Sequence, residues 1–332
     1  MSTVSSRIKV LVLAGPTASG KTEFLDRIFG LGASAFSGCF AGRFAGRAEI
    51  ISADSMQAYR GMDIGTAKPG ALLLEGLPHH LIDIRDPDEQ YTVGDFVTLA
   101  DGLCANLATD GILPVVAGGT GFYLRNFICG LPSGPPADPL LRAEVAHDLA
   151  ERGGDSLRAE LAAADPLAAS RIALRDEYRL TRAVEILRAT GRKPSDFAPS
   201  GDPRQGFDFL VLGLERPRDE LASRIDKRVD AMFASGLARE VAGLVEAGYG
   251  PSSPGMAAIG YREFFASPAV SPELLAEAIK LDTRRYAKRQ MTFFRKLPGI
   301  RWIPPDPEAL GRELDSFLRD LPGDLPENLS GA

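Results

Sequence analysis

The 332-residue chain is poor in the residues that staple folds or hold metals: it has three cysteines, three histidines and one tryptophan. Cys39, Cys104 and Cys129 are far apart and odd in number. They suggest neither a disulfide framework nor a zinc site, and they suit a reducing cytoplasm. Each is expected to be a small buried apolar residue. His79, His80 and His147 have no partners at metal-ligand spacing and are expected to be structural. There is no Gly-x-Ser-x-Gly elbow, and the cysteines and histidines are not placed for covalent catalysis. No apolar run is long enough to span a bilayer. Met1-Ser2-Thr3-Val4 leads straight into an apolar run, so no signal peptide is expected. No repeat recurs at a fixed period.

What is present is ordinary for a globular protein, at 45% hydrophobic and 25% charged residues, and the length predicts two domains. The net charge of −6 argues against one large nucleic-acid surface, but averages hide patches. Lys280, Arg284, Arg285, Lys288, Arg289, Arg295, Lys296 and Arg301 form a basic run opposed only by Asp282. A solvated helix face would account for it. The interleaved Tyr286, Phe293 and Phe294 point instead to polyanion contact.

Apolar runs at 8–14, 48–53, 112–117 and 207–214 alternate with helix-like stretches. This pattern predicts an α/β fold, a parallel sheet flanked by helices like those of phosphate-loop NTPases. The Gly-, Ala- and Phe-rich piece from Gly30 to Arg47 reads as a loop extension with no assigned role. A Pro/Gly stretch from Leu131 to Pro139 and a second from Gly191 to Arg204 bracket an Ala-, Leu- and Arg-rich helical block. The domain reading is therefore a catalytic core from 1–130 and 205–332, carrying a helical insertion at 131–204. An amphipathic stretch from Arg218 to Ala247 follows, with Leu221, Ile225, Val229, Met232 and Phe233 read as core.

Gly15-Pro16-Thr17-Ala18-Ser19-Gly20-Lys21-Thr22 matches G-x-x-x-x-G-K-[ST] between a strand and a helix. Such a loop turns N–H groups inward at a helix N-terminus, Lys21 adds a point charge, and the Thr22 hydroxyl can ligate Mg²⁺. A bound di- or triphosphate is expected. Asp54 ends the strand Glu49–Ala53, where a side chain faces the ligand crevice. It could cap a turn, ligate Mg²⁺ or act as a general base. Gly118-Gly119-Thr120-Gly121 ends another strand, allowing close backbone approach and offering a hydroxyl at the same edge.

Taken in order, the motifs resemble the tRNA dimethylallyltransferases, also called tRNA isopentenyltransferases. Beyond the phosphate loop they are Ile51-Ser52-Ala53-Asp54-Ser55-Met56-Gln57, Gly61-Met62-Asp63-Ile64-Gly65-Thr66-Ala67-Lys68-Pro69 and His79-His80-Leu81-Ile82-Asp83-Ile84. Then come Gly118-Gly119-Thr120-Gly121-Phe122-Tyr123-Leu124, Tyr178-Arg179-Leu180-Thr181-Arg182-Ala183, Ile259-Gly260-Tyr261-Arg262-Glu263 and Lys288-Arg289-Gln290-Met291-Thr292-Phe293-Phe294-Arg295. The match runs from about Val10 to about Trp302.

The resemblance implies transfer of a dimethylallyl group from dimethylallyl diphosphate to N6 of adenosine 37, just 3′ of the anticodon, in tRNAs reading codons that begin with U. Residues Gly15 to Thr22 would hold the diphosphate, with Mg²⁺ at Thr22. Asp54 matches the family's general base, and Thr120 matches a contact to the substrate adenosine. By similarity the RNA path comprises Asp54, Ser55, Met56, Gln57, Thr120, Tyr178, Arg179, Leu180, Thr181, Arg182, Ala257, Ala258, Ile259, Gly260, Tyr261, Arg262, Lys288, Arg289, Gln290, Met291, Thr292, Phe293, Phe294 and Arg295, with Arg142 added. The insertion would clamp the anticodon arm. A monomer in the cytoplasm is the family expectation.

The chain departs from the pattern at Ala173-Leu174-Arg175-Asp176, where a His-containing turn is usual, and at Phe293, where Trp is common. Other readings of the phosphate loop are a small-molecule kinase, a nucleotide-dependent switch, or prenylation of free adenine nucleotides. The basic aromatic segment and the helical insertion favour tRNA over these.

Overall fold

The computed structural model describes residues 7–31, 44–136, 138–199, 201–266 and 270–319. Residues 32–43 of the loop extension lie outside that set. Six strands, β1 (Ile8–Ala14), β2 (Ala48–Ser52), β3 (His79–His80), β4 (Leu113–Gly118), β5 (Phe207–Leu214) and β6 (Arg301–Ile303), form one sheet in the order β3-β2-β4-β1-β5-β6. Every pairing is parallel. A parallel sheet is covered on both faces, so its strands read as continuous apolar runs. Val10 to Ala14 accordingly have no exposed surface at all. The sequence reading found β1, β2, β4 and β5. It missed β3 and β6, whose two and three residues are too short to leave a run.

The helices are α1 (Lys21–Phe29), α2 (Ala71–Gly76), α3 (Val93–Thr109), α4 (Gly121–Cys129), α5 (Pro139–Ala164), α6 (Pro166–Arg171), α7 (Glu177–Thr190), α8 (Arg218–Ala234), α9 (Leu237–Glu246), α10 (Arg262–Ala266), α11 (Pro272–Phe294) and α12 (Pro307–Leu318). The amphipathic stretch from Arg218 to Ala247 forms two helices, because Gly236 takes φ 99° between α8 and α9. That left-handed geometry ends a helix at little cost only for glycine.

Residues Cys129–Asp202 form one compact unit, and the described residues on either side of them form the other. In the larger unit one face of the sheet packs Leu11, Leu13, Ile50 and Val115 against Phe24 and Ile28 of α1 and Leu310 and Leu314 of α12. Elsewhere in that unit Phe96 of α3 stacks on Tyr123 of α4 with ring centroids 4.8 Å apart, and Phe127 meets Phe96 edge-on. The smaller unit has its own core of Val145, Leu157, Leu161, Leu180 and Val184 from α5 and α7.

Strand register decides where the chemistry sits. Ala14 aligns with Gly118 on one side and Gly213 on the other, and Ser52 aligns with Ala117. The turns after β1, β2 and β4 therefore leave one edge together, the carboxyl edge where α/β sheets bind ligands. Gly118 permits this convergence, since a Cβ there would lie 2.1 Å from the Ala53 carbonyl oxygen. Thr120 N donates to that same carbonyl at 3.1 Å, tying the second turn to the third.

Candidate active site

The phosphate loop begins one residue after β1. Ala18 (φ 61°) and Gly20 (φ 85°) both take left-handed backbone. Alternation of this kind turns successive N–H groups into a concavity that suits an anion. Side chains from distant segments hold the loop from outside. Arg224 Nε donates to Ala18 O at 2.8 Å, and Arg216 Nε donates to Ser19 O at 2.6 Å. Gln290 Oε1 accepts from Thr17 N at 3.0 Å, while its Nε2 donates to Gly119 O at 2.7 Å. Gln290 thus joins α11 to two of the three turns.

Within the loop, Lys21 Nζ donates to Gly15 O at 2.7 Å and to Pro16 O at 3.1 Å. Burial pushes its pKa down to about 8, partly offset by the nearby Asp54 carboxylate, with Arg228 adding a smaller depression. The Ser19 hydroxyl is fully buried and has no hydrogen-bond partner among the described residues. An unsatisfied buried hydroxyl is costly, and a phosphate oxygen in the cradle would satisfy it.

Asp54 follows β2. Its Oδ1 accepts from Met56 N at 2.9 Å and from Gln57 N at 3.3 Å, so one oxygen caps the turn. Its Oδ2 lies 3.9 Å from where a Cβ on Gly119 would stand, on the crevice side. The turn-capping reading thus holds for Oδ1, and the turn does not engage Oδ2. Thr120 Oγ1 accepts from Ser55 N at 3.0 Å and lies 3.3 Å from Ser55 Oγ. Tyr286 reaches the same cluster through side-chain hydrogen bonds to Gln290 and Thr120. Its pKa is pushed up to about 12, by burial first and by the Asp54 charge second.

Of these groups, Thr17, Ala18, Lys21, Asp54, Tyr286 and Gln290 line one crevice of about 850 Å³ within the larger unit. Its opposite wall was missed by the sequence reading. Arg224, Lys227 and Arg228 of α8 face it, as do Val229 and Met232 from the stripe read as core. Both descriptions hold for that stripe, since Val229 and Met232 are buried as well. Burial depresses the Arg228 pKa and Asp54 opposes that shift. The available signal was three basic residues at i, i+3 and i+4, which share a helix face next to the apolar stripe.

The residues expected along an RNA path separate by exposure. Ala257, Ala258, Ile259, Gly260, Arg262, Arg289 and Gln290 line the crevice. Lys288, Arg289, Thr292 and Arg295 are exposed on α11 or just after it, with Met291 and Phe293 half-buried. Tyr261 is fully buried, and its hydroxyl donates to Glu240 at 2.6 Å. In the smaller unit Tyr178 is 76% exposed, and Arg179 pairs with Asp176. Arg142 and Arg182 converge on Glu185 at 3.3 and 2.9 Å. Thr181 donates its hydroxyl to Tyr178 O at 3.1 Å.

Leu180, Tyr261, Gln290 and Phe294 of the expected RNA path are buried. Leu180 and Phe294 have 1% and 0% exposure and belong to cores, and Gln290 spends both amide atoms on the phosphate loop and Gly119. The basic run is also thinner than it reads. Arg284 pairs with Asp226, Lys280 with Asp230, Arg285 with Asp282 and Arg301 with Glu313. Lys288, Arg289, Arg295 and Lys296 have no ion pair among the described residues. As expected, His79 and His80 serve local structure: His79 Nδ1 lies 2.7 Å from Leu77 O, and His80 Nε2 lies 2.6 Å from Glu49.

The family model described as IPP transferase matches residues 57–297. The chain belongs to the IPP transferase family. A tRNA dimethylallyltransferase of Geobacter sulfurreducens is 42% identical over 301 residues, covering 90% of this chain and 92% of its own. One from Anaeromyxobacter dehalogenans is 43% identical, covering 93% and 99%. The solved tRNA isopentenylpyrophosphate transferase of Bacillus halodurans superposes with TM-score 0.63 at 35% identity, covering 94% and 96%. A solved eukaryotic dimethylallyltransferase, described as acting on tRNA, superposes with TM-score 0.74 at 28% identity, covering 90% of this chain and 74% of its own. Among the described residues, no helix is long and apolar enough to cross a membrane.

Proposed function

We propose that this protein transfers a dimethylallyl group from dimethylallyl diphosphate to N6 of adenosine 37 in tRNAs reading codons that begin with U, releasing diphosphate, as a monomer in the cytoplasm. One observation carries the reading. The phosphate loop and the Asp54 carboxylate line a single crevice of about 850 Å³.

The chemistry follows from the two walls. Breaking the allylic C–O bond leaves charge on diphosphate, and fixed donors that meet that charge lower the barrier. Lys21, the inward N–H groups of the loop, the Ser19 hydroxyl and the Arg224–Arg228 face are those donors. The allyl fragment becomes cation-like between the walls. The exocyclic amine of adenine is almost non-basic, so it must lose its proton as it attacks. Asp54 Oδ2 takes that proton, while Oδ1 keeps the carboxylate oriented. The adenine must leave its stack to arrive there. Thr120, held by Ser55, is placed to contact the nucleoside.

Thr22 and Asp54 line the same crevice. Both are hard oxygen donors of the kind Mg²⁺ takes when substrate phosphates complete its shell. A Mg²⁺ bound there would neutralise charge growing on the leaving group.

Incubating the protein with Mg²⁺, dimethylallyl diphosphate and unmodified tRNA, then digesting to nucleosides for mass analysis, tests the reading. A dimethylallyl adduct on one adenosine is expected. An adduct on free AMP alone would transfer the reading to adenylate prenylation, and ATP consumption with a small acceptor would transfer it to a kinase.

The exposed cations of α11 are assigned to RNA phosphates, with the smaller unit meeting the anticodon arm. Replacing Lys288 and Arg289 together by Ala is expected to weaken tRNA binding and to reduce the slope of log K against log salt by roughly 1–2. Filter binding across a salt series measures both.

Lys21 also predicts a pH dependence. Its folded pKa of about 8 lies below the ordinary 10.5, so the fold favours the neutral amine. The charged amine that grips diphosphate is present below about pH 8 and is lost above it. The kcat/KM for dimethylallyl diphosphate should therefore fall as pH rises through about 8. For stability the sign is opposite. Between about 8 and 10.5 the unfolded chain binds the extra proton, so this group makes the unliganded fold more stable as pH rises. Initial rates and thermal midpoints from pH 6.5 upward read the two trends.

A further inference from the structure

The segment Gly61–Pro69 stands out in the sequence, yet nothing above gives it work. Gly65 to Pro69 form part of the crevice wall. Glu240 of α9, which is not among the lining residues, holds this segment. Its Oε2 accepts from Asp63 N at 2.9 Å and Ile64 N at 2.7 Å. Its Oε1 accepts from Gly65 N at 3.2 Å and from the Tyr261 hydroxyl at 2.6 Å. A carboxylate has about four acceptor directions, and all four are used here. Tyr261 packs so closely on the segment that a Cβ on Gly65 would lie 2.4 Å from its ring.

The held backbone continues into the reacting groups. Thr66 O accepts from Arg228 at 3.3 Å and from Gln57 Nε2 at 3.3 Å. Ala67 O accepts a second contact from Gln57 Nε2 at 3.3 Å. Gln57 N in turn donates to Asp54 Oδ1. At the far end of the segment, Lys68 Nζ donates to Tyr59 O at 2.6 Å and pairs with Asp63 and Asp83. One carboxylate outside the crevice thus sets the carbonyl that orients both a diphosphate-facing arginine and the turn bearing the proposed base.

We infer that Glu240 is a positioning residue for prenyl transfer, acting through Gly65 and Thr66 O on Arg228 and Gln57. The inference rests on the function proposed above. Its chemistry is specific to a carboxylate. All four partners are donors, and hydrogen bonds to an ionised acceptor are the strong ones. Glutamine has the same shape but turns an NH₂ toward N–H or O–H donors.

The test uses the full chain with Mg²⁺, dimethylallyl diphosphate and unmodified tRNA. Glu240→Gln is expected to lower kcat roughly 10–100-fold, the scale at which small misplacements of reacting groups are felt. The tRNA Kd should stay within about threefold, because the exposed α11 cations are untouched. The deciding arm is a cycle with Arg228→Ala. If Glu240 acts through Thr66 O, adding Glu240→Gln to Arg228→Ala costs less than about threefold more, since residues in one network are not additive. If Glu240→Gln does not fold, Tyr261→Phe removes one of the four donors and enters the same cycle, with a loss of roughly 3–10-fold expected alone. A kcat within twofold of wild type, or an undiminished loss in the Arg228→Ala background, overturns the inference. An inactive wild type would overturn the proposed function instead, so the two failures are distinct.

Discussion

Asp54→Asn is expected to lower kcat by roughly 10²–10⁴-fold while leaving tRNA affinity nearly intact. The choice of asparagine matters. Asp54 Oδ1 receives Met56 N and Gln57 N, and an amide oxygen can keep both bonds. Only the proton acceptor on Oδ2 is removed. Asp54→Ala would also release the turn, which carries Gln57 and so touches Thr66 O and Ala67 O. Alanine is therefore expected to be the worse of the two, and the gap between them measures the turn's share. Single-turnover rates with saturating tRNA, together with filter binding, separate the terms. Full turnover in Asp54→Asn would mean that the amine loses its proton to another group, and the base would have to be sought elsewhere.

Lys21→Ala should cost roughly 10²–10³-fold in kcat, the usual penalty for losing one preorganised donor to a developing oxyanion. The structure adds a second consequence. In the unliganded loop Lys21 satisfies Gly15 O and Pro16 O, so the variant leaves two carbonyls without that donor. The cradle keeps its outer supports from Arg216, Arg224 and Gln290, so it should survive. Inorganic diphosphate, as a competitive inhibitor, should then bind measurably but less tightly. The decline of kcat/KM above about pH 8 should vanish in this variant, because the group that titrates there is gone. Persistence of that decline would assign it to another residue.

The helical unit illustrates how far local signals reach. Its Pro/Gly borders were legible, and structure places Cys129–Asp202 together as a compact unit. Which of its conspicuous residues are surface was not legible. Tyr178 and Leu180 lie two positions apart in one motif, yet one is exposed and the other is core. A helix turns through about 200° in two residues, and only packing decides which side is covered. The basic run shows the same limit for charge. Only Asp282 opposes it in sequence, but folding brings Asp226, Asp230 and Glu313 against it from other segments.

By itself the order of residues determined four of the six strands, the phosphate loop and the carboxylate that follows β2. Each of these is a local pattern: a strand-length apolar run, a loop with left-handed turns, a side chain two residues past a strand. Tertiary structure alone decided which distant groups complete the crevice. Arg216, Arg224, Arg228, Glu240 and Gln290 lie far along the chain from the turns they hold, from a separation of 162 for Arg228 and Thr66 to 273 for Gln290 and Thr17. Hydrogen bonds and Coulomb forces depend on distance in space, and no period or spacing in a chain records which segments a sheet and its helices will bring within 3 Å.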